Sequence, residues 1–250
     1  MWCRSNWRTH EPCRQDILDR RGERGAWKGA GTALDKAGAR LILSARNGDR
    51  LAEVSGALRN ATPLAMDVTD PVGVKTAVEM AGAVDGVIYC AGQYTPLTAQ
   101  TWDAAAVEAM CEVNFLGAVH LLGHLVPRFA TENRGHIVLI GSLAGFRGLP
   151  GAIGYGASKA ALMHLGENIF ADLRGTDVKI QVVNPGFIKT RLTDKNDFKM
   201  PFLQTPEQAA DHVLKAMQSG RFSTSFPAPF SWLFSIGRFL PRGVFYRIFR

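Results

Sequence analysis

The pattern of apolar and polar residues divides most of this chain into short apolar runs separated by longer amphipathic segments. Apolar runs of four to six residues predict buried strands, because a strand covered on both faces shows little polar alternation. Segments with apolar residues three and four positions apart predict helices with one buried face. The predicted strands are 41–45, 62–66, 86–89, 136–141 and 179–183. The predicted helices are 49–58, 72–81, 101–125 (one helix or two), 155–173 and 205–217.

Strands that alternate with helices indicate an α/β fold with a doubly wound parallel sheet flanked by helices. The chain has 250 residues, which suits a single domain of this class. The pattern covers residues 38–220, whereas residues 1–37 and 221–250 differ in composition and are treated as separate segments. We therefore predict one α/β domain between an aberrant N-terminal segment and a basic, aromatic C-terminal tail.

Composition indicates an ordinary soluble protein of the cytoplasm. Apolar residues make up 46% and charged residues 20% of the chain, and no run of about eighteen apolar residues predicts a transmembrane helix. The N-terminus lacks the apolar stretch of a secretion signal, and the four cysteines show no close pairing, as expected in a reducing compartment. Cys3, His10 and Cys13 are too few for a convincing metal cluster, so no metal site is predicted.

Residues 141–159 contain the strongest candidate chemistry. Ser142 follows a predicted strand, so its hydroxyl would emerge at the carboxyl edge of the sheet, where α/β proteins bind ligands. Tyr155 and Lys159 are four residues apart at the start of a predicted helix and therefore share one face. The ammonium beside the phenol favours the phenolate and lowers the tyrosine pKa from its usual value near ~10. Taken alone, the pair could also be a solvated helix face, but with Ser142 it predicts a proton-transfer site.

Further motifs, in the same order along the chain, resemble the short-chain dehydrogenase/reductase family over residues 38–220. Asn114, in Glu-Val-Asn-Phe-Leu-Gly-Ala, matches the asparagine that completes that family's catalytic tetrad with a serine, a tyrosine and a lysine. The matching turns are Asp67-Val68, Cys90-Ala91-Gly92 and the segment Asn184-Pro185-Gly186-Phe187-Ile188-Lys189-Thr190. The resemblance implies a Rossmann-like fold and an NAD(P)-dependent oxidoreductase that moves a hydride between a nicotinamide and a carbonyl or alcohol.

The resemblance also implies roles for individual residues. Ser142 and Tyr155 would donate hydrogen bonds to the substrate oxygen, and Tyr155 would supply or accept the proton. Lys159 would bind the nicotinamide ribose, and Asn114 would hold a water that connects Lys159 to solvent. The residues expected to bind the cofactor are Arg46, Asp67, Val68, Ala91, Gly92, Tyr155, Lys159, Pro185, Gly186, Ile188 and Thr190.

The end of the predicted strand 41–45 bears on cofactor choice. Enzymes that prefer NAD place an acid at this point to bind the ribose hydroxyls. Here Ala45 is followed by Arg46, whose planar guanidinium suits a 2′-phosphate, although a solvated arginine is the alternative. We therefore expect NADP(H) to be favoured over NAD(H).

The chain departs from the family in its first 37 residues. The family has a first strand and then a Thr-Gly-x-x-x-Gly-x-Gly turn that holds the pyrophosphate. Gly25, Gly29 and Gly31 have this spacing, but no apolar strand precedes them and only six residues separate them from Gly38. Codons permitted for residues 21–28, read one base out of frame, can spell such a loop. We interpret residues up to about Asp35 as partly out-of-frame translation; a genuinely divergent N-terminus is the alternative. In either case the disrupted glycine-rich loop is expected to weaken cofactor binding and leaves the activity of this exact chain an open question.

Two smaller departures lie near the candidate site. Tyr89 and Cys90 stand where the family has the two asparagines of its Asn-Asn-Ala-Gly turn. Gly141 stands where many members carry another serine. Neither change removes a predicted catalytic group.

The distribution of charge and the composition of residues 221–250 indicate which binding partners to expect. The net charge is +7, but acids and bases mix along residues 38–220, so nucleic acid is not an expected partner. Residues 221–250 combine aromatic side chains with five arginines and no acid, which suits contact with an anionic membrane surface. Their aromatic side chains could instead cap the substrate pocket or bury against the core or a second subunit. The resemblance further implies a homo-oligomer.

The substrate itself is not encoded in any motif. Residues 187–206 and the tail are expected to line its site, which suggests an apolar carbonyl or alcohol. Two other functions stay open: a catalytically impaired relative that acts as a membrane-associated or scaffolding protein, and a sugar-nucleotide epimerase.

Overall fold

Helices and strands alternate along the computed structural model, which describes residues 26–190, 192–193 and 200–248. The strands are β1 (Leu41–Ala45), β2 (Ala61–Ala65), β3 (Gly86–Tyr89), β4 (Gly135–Ile140), β5 (Val178–Pro185) and β6 (Ser223–Phe226). The helices are α1 (Ala26–Lys36), α2 (Gly48–Gly56), α3 (Pro71–Ala81), α4 (Ala104–Cys111), α5 (Gly117–Glu132), α6 (Ile153–Asp172), α7 (Pro206–Gln218), α8 (Phe230–Ser235) and α9 (Arg242–Ile248). A π-helical turn, Glu112–Leu116, joins α4 to α5.

All strand pairs in the described residues are parallel. β1 pairs with β2, and the other four strands form a sheet in the order β3-β4-β5-β6. β3 is buried at all four of its positions, as expected for a strand covered by helices on both faces. The five strands predicted from apolar runs are present within two residues of their predicted ends.

Helices cover both faces of the four-stranded sheet. Gly166 of α6 lies so close to β5 that a Cβ atom placed on it would be only 2.7 Å from the Val182 side chain. Helix α6 therefore packs on the face of the sheet to which Val182 points. The neighbouring Gln181 points to the other face, where its Nε2 donates to Ala216 O of α7 at 2.8 Å. The sheet is therefore doubly wound, and the predicted α/β fold class is confirmed.

Local capping explains where the predicted helix boundaries were wrong. The long central helix begins at Ala104 rather than at residue 101, because Asp103 caps it by accepting from the Ala106 N–H at 3.1 Å. It continues past residue 125 to Glu132 with Pro127 inside it. At α7, Thr205 and Gln208 form the predicted capping box.

Two elements extend the folded unit beyond residues 38–220. α1 packs along α7 with Ala30 and Leu34 buried, and a Cβ on Gly29 would lie only 3.1 Å from the Ala210 methyl. Gly29 and Gly31 are therefore helical residues, not parts of a turn. β6 completes one edge of the four-stranded sheet. The interpretation of residues 1–25 as aberrant lies outside the described residues.

The continuous helical run Ala104–Glu132 is long and apolar enough to cross a membrane by length and composition. Its side chains Met110, Leu125 and Phe129 are completely buried, and the run contacts α3, α6 and β4. A core helix meets the same criterion, and these contacts identify the run as part of the core.

Candidate active site

The carboxyl ends of the parallel strands bring the predicted site residues to the edge where α/β folds bind ligands. Ala91 and Gly92 follow β3, Ser142 follows β4, and Gly186 follows β5. The ends of β2 and β3 meet at the first residue of α5: a Cβ on Gly117 would lie 2.6 Å from the Tyr89 hydroxyl and 2.7 Å from Val68.

Ser142 caps a short 3₁₀ turn, Leu143–Gly145. Its backbone is extended, and its Oγ accepts the Ala144 N–H at 3.1 Å. This bond uses an oxygen lone pair and leaves the hydroxyl proton available. The side chain is largely buried, so the proton can be donated to a ligand oxygen in a partly desolvated place.

The turn opened by Ser142 packs directly on α6 between Tyr155 and Lys159. A Cβ on Gly145 would lie 3.2 Å from the Lys159 carbonyl carbon, and a Cβ on Gly156 would lie 3.2 Å from Ala144 O. Because both positions are glycine, the turn can approach the helix backbone this closely. Ser142 and Tyr155 are thereby held on adjoining elements.

Lys159 is a buried cation fixed to the end of β4. It is only 1% exposed, and its Nζ donates to Ile140 O at 2.8 Å. Lysine is rarely buried to this extent without partners. The Nζ lies 5.9 Å from the centre of the Tyr155 ring, and Tyr94 meets the same ring edge-on at 5.2 Å. The structure therefore brings the predicted tyrosine, lysine and serine together.

Asn114 lies in the π-helical turn and joins α6 to the loop after β3. Its Oδ1 accepts from Gln93 N at 2.7 Å, and its Nδ2 donates to Gln93 O at 3.0 Å and to Ser158 Oγ at 2.9 Å. Both amide protons are used. A water held by this amide would therefore have to donate to the remaining lone pair of Oδ1.

Ser158 and Gln93 were missed by the sequence analysis. Ser158 is buried and donates to Tyr155 O at 2.9 Å while it accepts from Asn114. The available signal was a small hydroxyl three residues after Tyr155, where it can bond back to the preceding helical turn. For Gln93 no signal existed, because only its backbone is used.

The two small departures from the family motifs have a structural explanation. Tyr89 is buried, and its hydroxyl donates to Val113 O in the π-helical turn, so it braces the helix that carries Asn114. A Cβ at Gly141 would lie 2.1 Å from Asn184 Oδ1. A serine at position 141 is therefore incompatible with this orientation of Asn184.

Arg46 and Asp67 lie near the ends of β1 and β2 and contact each other. Arg46 Nη1 is 3.5 Å from Asp67 Oδ2, and the two side chains are 29% and 34% exposed. Asp67 Oδ1 accepts from the backbone N–H and the hydroxyl of Thr69, which fixes that carboxylate. An ion pair as exposed as this contributes little to stability, so Arg46 is free to turn toward a bound anion.

The segment after β5 folds into a tight turn. Gly186 N donates to Phe226 O at 2.8 Å, which extends the pairing with β6. Thr193 Oγ1 accepts a hydrogen bond from Thr190 N at 2.9 Å and lies 2.7 Å from Ile188 O, to which its hydroxyl can donate. The remaining predicted cofactor residues are buried: Val68, Ala91, Gly92, Pro185, Ile188 and Thr190.

One titratable group with a shifted pKa lies away from this edge. His136, near the amino end of β4, donates from Nε2 to Gln181 Oε1 at 2.7 Å. Burial, together with the nearby Lys179 charge, lowers the pKa of His136 to about 4. No group of three or more metal-ligating side chains occurs among the described residues; Cys3, His10 and Cys13 lie outside them.

Comparison with known sequences gives one consistent family. The profile of the short chain dehydrogenases matches residues 24–200. An uncharacterized oxidoreductase from Myxococcus xanthus is 32% identical over 229 residues, covering 88% of this chain and 90% of that protein. The 1-deoxy-11-beta-hydroxypentalenate dehydrogenase of Streptomyces avermitilis is 33% identical over 218 residues, covering 79% of this chain and 80% of that protein.

Solved structures share the fold. A short-chain dehydrogenase from Sphingobium yanoikuyae in complex with NADPH has a TM-score of 0.77 at 23% identity, covering 86% of this chain and 89% of that one. A 3-ketoacyl-(acyl-carrier-protein) reductase from Brucella melitensis complexed with NADH has a TM-score of 0.77 at 19% identity, covering 87% and 98%. At these identities the likeness establishes the fold alone.

Proposed function

Because the chain belongs to the short-chain dehydrogenase family, we propose that it is a nicotinamide-dependent oxidoreductase that interconverts a carbonyl and an alcohol. The observation that carries this proposal is the close packing of the Ser142 turn on α6 between Tyr155 and Lys159. This packing supports the proposal because it holds Ser142 beside the helix that carries Tyr155 and Lys159, with the buried Lys159 Nζ 5.9 Å from the centre of the Tyr155 ring.

The described residues fit a dinucleotide lying along this edge. Arg46 offers a guanidinium for a 2′-phosphate, and Asp67 offers carboxylate oxygens near the adenine end. Ala91 and Gly92 are small, buried residues that allow a ring to approach the backbone. When bound, the nicotinamide supplies or accepts the hydride. The pyrophosphate turn expected before α1 lies outside the described residues.

The proposed chemistry of the protein is proton transfer and charge stabilisation. Ser142 and Tyr155 donate hydrogen bonds to the carbonyl oxygen, where negative charge develops during reduction. Tyr155 then gives its proton to that oxygen and completes the alcohol; oxidation reverses these steps. The Lys159 ammonium stabilises the phenolate that Tyr155 becomes. Asn114 positions Tyr155 through Ser158, which donates to the Tyr155 backbone carbonyl, and a water on Asn114 Oδ1 would return the proton from solvent.

NADP(H) is the proposed preferred cofactor. Arg46 supports this choice because it follows β1 directly. To bind a 2′-phosphate it would have to break only a long, partly exposed ion pair with Asp67. A dianionic 2′-phosphate offers this arginine a two-point partner that the ribose hydroxyl of NAD does not.

The proposed substrate is an apolar carbonyl compound or alcohol. Phe230 of α8 lies 5.9 Å from Phe187, 5.7 Å from Phe202 and 5.1 Å from Phe234, measured between ring centres. α8 also contacts the turn opened by Ser142. The aromatic cluster therefore lies close to the proposed proton-transfer groups and supplies an apolar wall.

A panel of carbonyl compounds assayed with NADPH and with NADH tests the proposal. We expect oxidation of NADPH by apolar aldehydes or ketones, with lower catalytic efficiency for NADH. A fluorescence titration with NADPH distinguishes the alternative of a catalytically impaired relative, since no binding by the folded chain would favour that alternative. A cytoplasmic location and assembly into a homo-oligomer complete the proposal and are tested by fractionation and sedimentation.

A further inference from the structure

The C-terminal residues 230–248 are anchored to the body of the protein along one side, which we call the inner face. Ser231, Phe234 and Phe245 of this face are at most 2% exposed. Arg147, just after the turn opened by Ser142, donates from Nη1 to Gly237 O at 2.7 Å and to Leu240 O at 2.8 Å. Its guanidinium lies 4.8 Å from the centre of the Phe245 ring. The segment therefore has a fixed position and orientation.

The opposite side of the same segment, the outer face, is also apolar. Trp232, Ile236 and Phe239 are 58%, 64% and 75% exposed. They are four and three residues apart, so they project from one side of the helical chain. Leu240, Val244 and Tyr246 of this segment are large apolar side chains that are exposed as well. A helix with apolar residues on both sides requires a second apolar partner besides the core.

Cations surround this exposed apolar surface. Arg238, Arg242 and Arg247 are exposed, and the Arg238 guanidinium lies 4.8 Å from the centre of the Phe239 ring. The sequence contains no aspartate or glutamate from residue 212 to its end. The outer face thus joins large apolar side chains to uncompensated positive charge.

This combination distinguishes between two possible occupants. A second copy related by a two-fold axis would bring the same face against itself, so arginines would meet arginines with no acid between them. An anionic lipid surface offers negative headgroups beside an apolar layer, which complements both properties. We propose that the outer face of residues 230–248 docks on membranes that contain anionic lipids. Trp232, Ile236 and Phe239 then lie at the boundary of headgroups and acyl chains, and the three arginines contact lipid phosphates.

Docking of this kind is independent of the proposed reaction. It requires only that the segment keeps its fixed orientation, so it can be tested on the whole chain without any substrate. The probe is a set of vesicles made of phosphatidylcholine alone or mixed with phosphatidylglycerol, pelleted with the protein. We expect pelleting with the mixed vesicles, weakening as salt rises, and little pelleting with phosphatidylcholine alone.

Two matched pairs of variants locate the contact. Trp232→Ser is paired with Trp102→Ser, because the two tryptophans are 58% and 59% exposed. The double variant Arg238→Gln, Arg242→Gln is paired with Arg59→Gln, Arg174→Gln, which removes the same charge from exposed positions elsewhere. We expect each outer-face variant to lower the vesicle partition coefficient roughly tenfold and each control to leave it unchanged. Circular dichroism confirms that all four variants are folded.

Several outcomes overturn the proposal. Equal pelleting with neutral and anionic vesicles would show that the arginines do not bind anionic lipids. Equal pelleting of the Trp232→Ser and Trp102→Ser variants would show that the outer face does not contact the membrane. A lipid-free dimer that Trp232→Ser dissociates, with no pelleting by the wild type, shows that a second copy covers the surface instead.

Discussion

The two parts of the candidate site are built in different ways. Around the proposed proton-transfer groups, Asn114, Ser158 and Lys159 are at most 1% exposed and are tied to neighbouring elements by short hydrogen bonds. Around the expected adenine end, Arg46 and Asp67 are about a third exposed and meet at 3.5 Å. Proton transfer needs groups held in place before the substrate arrives, whereas cofactor selection needs only a charge that can reach its partner. Substitutions around the proton-transfer groups should therefore cause large losses of kcat or of unfolding free energy. Substitutions around Arg46 and Asp67 should cause small ones.

Apart from that of Tyr155, the largest expected effect is that of Ser142. Ser142→Ala removes one of the two donors to the developing oxyanion, so we expect kcat to fall by about 10²–10³-fold. Ser44→Ala is the matched control, because Ser44 is also buried but bonds Leu64 O in the β1-β2 pair. It should lower stability and leave kcat unchanged. Equal losses of kcat in both variants would contradict the assigned role.

Asn114 should be the next most sensitive position. Asn114→Ala leaves the partly buried Gln93 N–H and C=O, and the buried Ser158 hydroxyl, without their side-chain partner, so we expect a loss of about 3 kcal/mol in unfolding free energy. Asn47→Ala removes only the N-cap of α2, beside Arg46, and should cost about 1 kcal/mol. Urea denaturation measures both. A smaller loss of unfolding free energy for Asn114→Ala than for Asn47→Ala would contradict the proposed difference between the two parts of the site.

Acid should destabilise the fold through His136, at the other end of β4 from Ser142. Its folded-state pKa of about 4 lies below its ordinary value of 6.5, so the unfolded chain binds a proton that the folded chain excludes. This contribution to stability is complete above pH 6.5 and falls by about 3 kcal/mol as the pH drops to 4. His136→Gln should flatten that part of the stability curve. An unchanged slope in urea denaturation across this range would show that His136 is not the cause.

The smallest expected effect is on cofactor choice. Arg46→Ala should raise the KM for NADPH roughly tenfold and leave the KM for NADH unchanged, since only NADPH carries the 2′-phosphate. Arg50→Ala, four residues later on the exposed side of α2, should change neither value. A loss of affinity for both cofactors would mean that Arg46 supports the fold of this edge and does not select the cofactor.

Strand positions were predictable because burial on both faces leaves a plain apolar signal. β3 was predicted with its observed ends, and β1 as well. β6 was not predicted, because Ser-Thr-Ser-Phe carries one buried residue and becomes a strand only by pairing with β5. α1 was missed because the buried apolar side chains that the structure describes in it are Ala30 and Leu34, too few for a periodic signal.

The sequence predicted which side chains lie together at the candidate site, but it did not predict the groups that hold them. Tyr155, Lys159, Ser142 and Asn114 come together as expected, although their roles stay proposals. Gln93 contributes only backbone atoms, so no residue pattern could have identified it. Arg147 was missed because its partners lie ninety or more residues further along the chain, where only the folded structure brings them near.

The central claim, that Tyr155 transfers the proton within a preorganised site, is tested most directly by Tyr155→Phe. The variant keeps the ring that meets Tyr94 at 5.2 Å and removes only the hydroxyl. The measurement is the kcat of NADPH-dependent carbonyl reduction beside the Kd for NADPH of the same protein. We expect kcat to fall by about 10²–10⁴-fold while the Kd changes little. A variant that binds NADPH and turns over at the wild-type rate would contradict the claim.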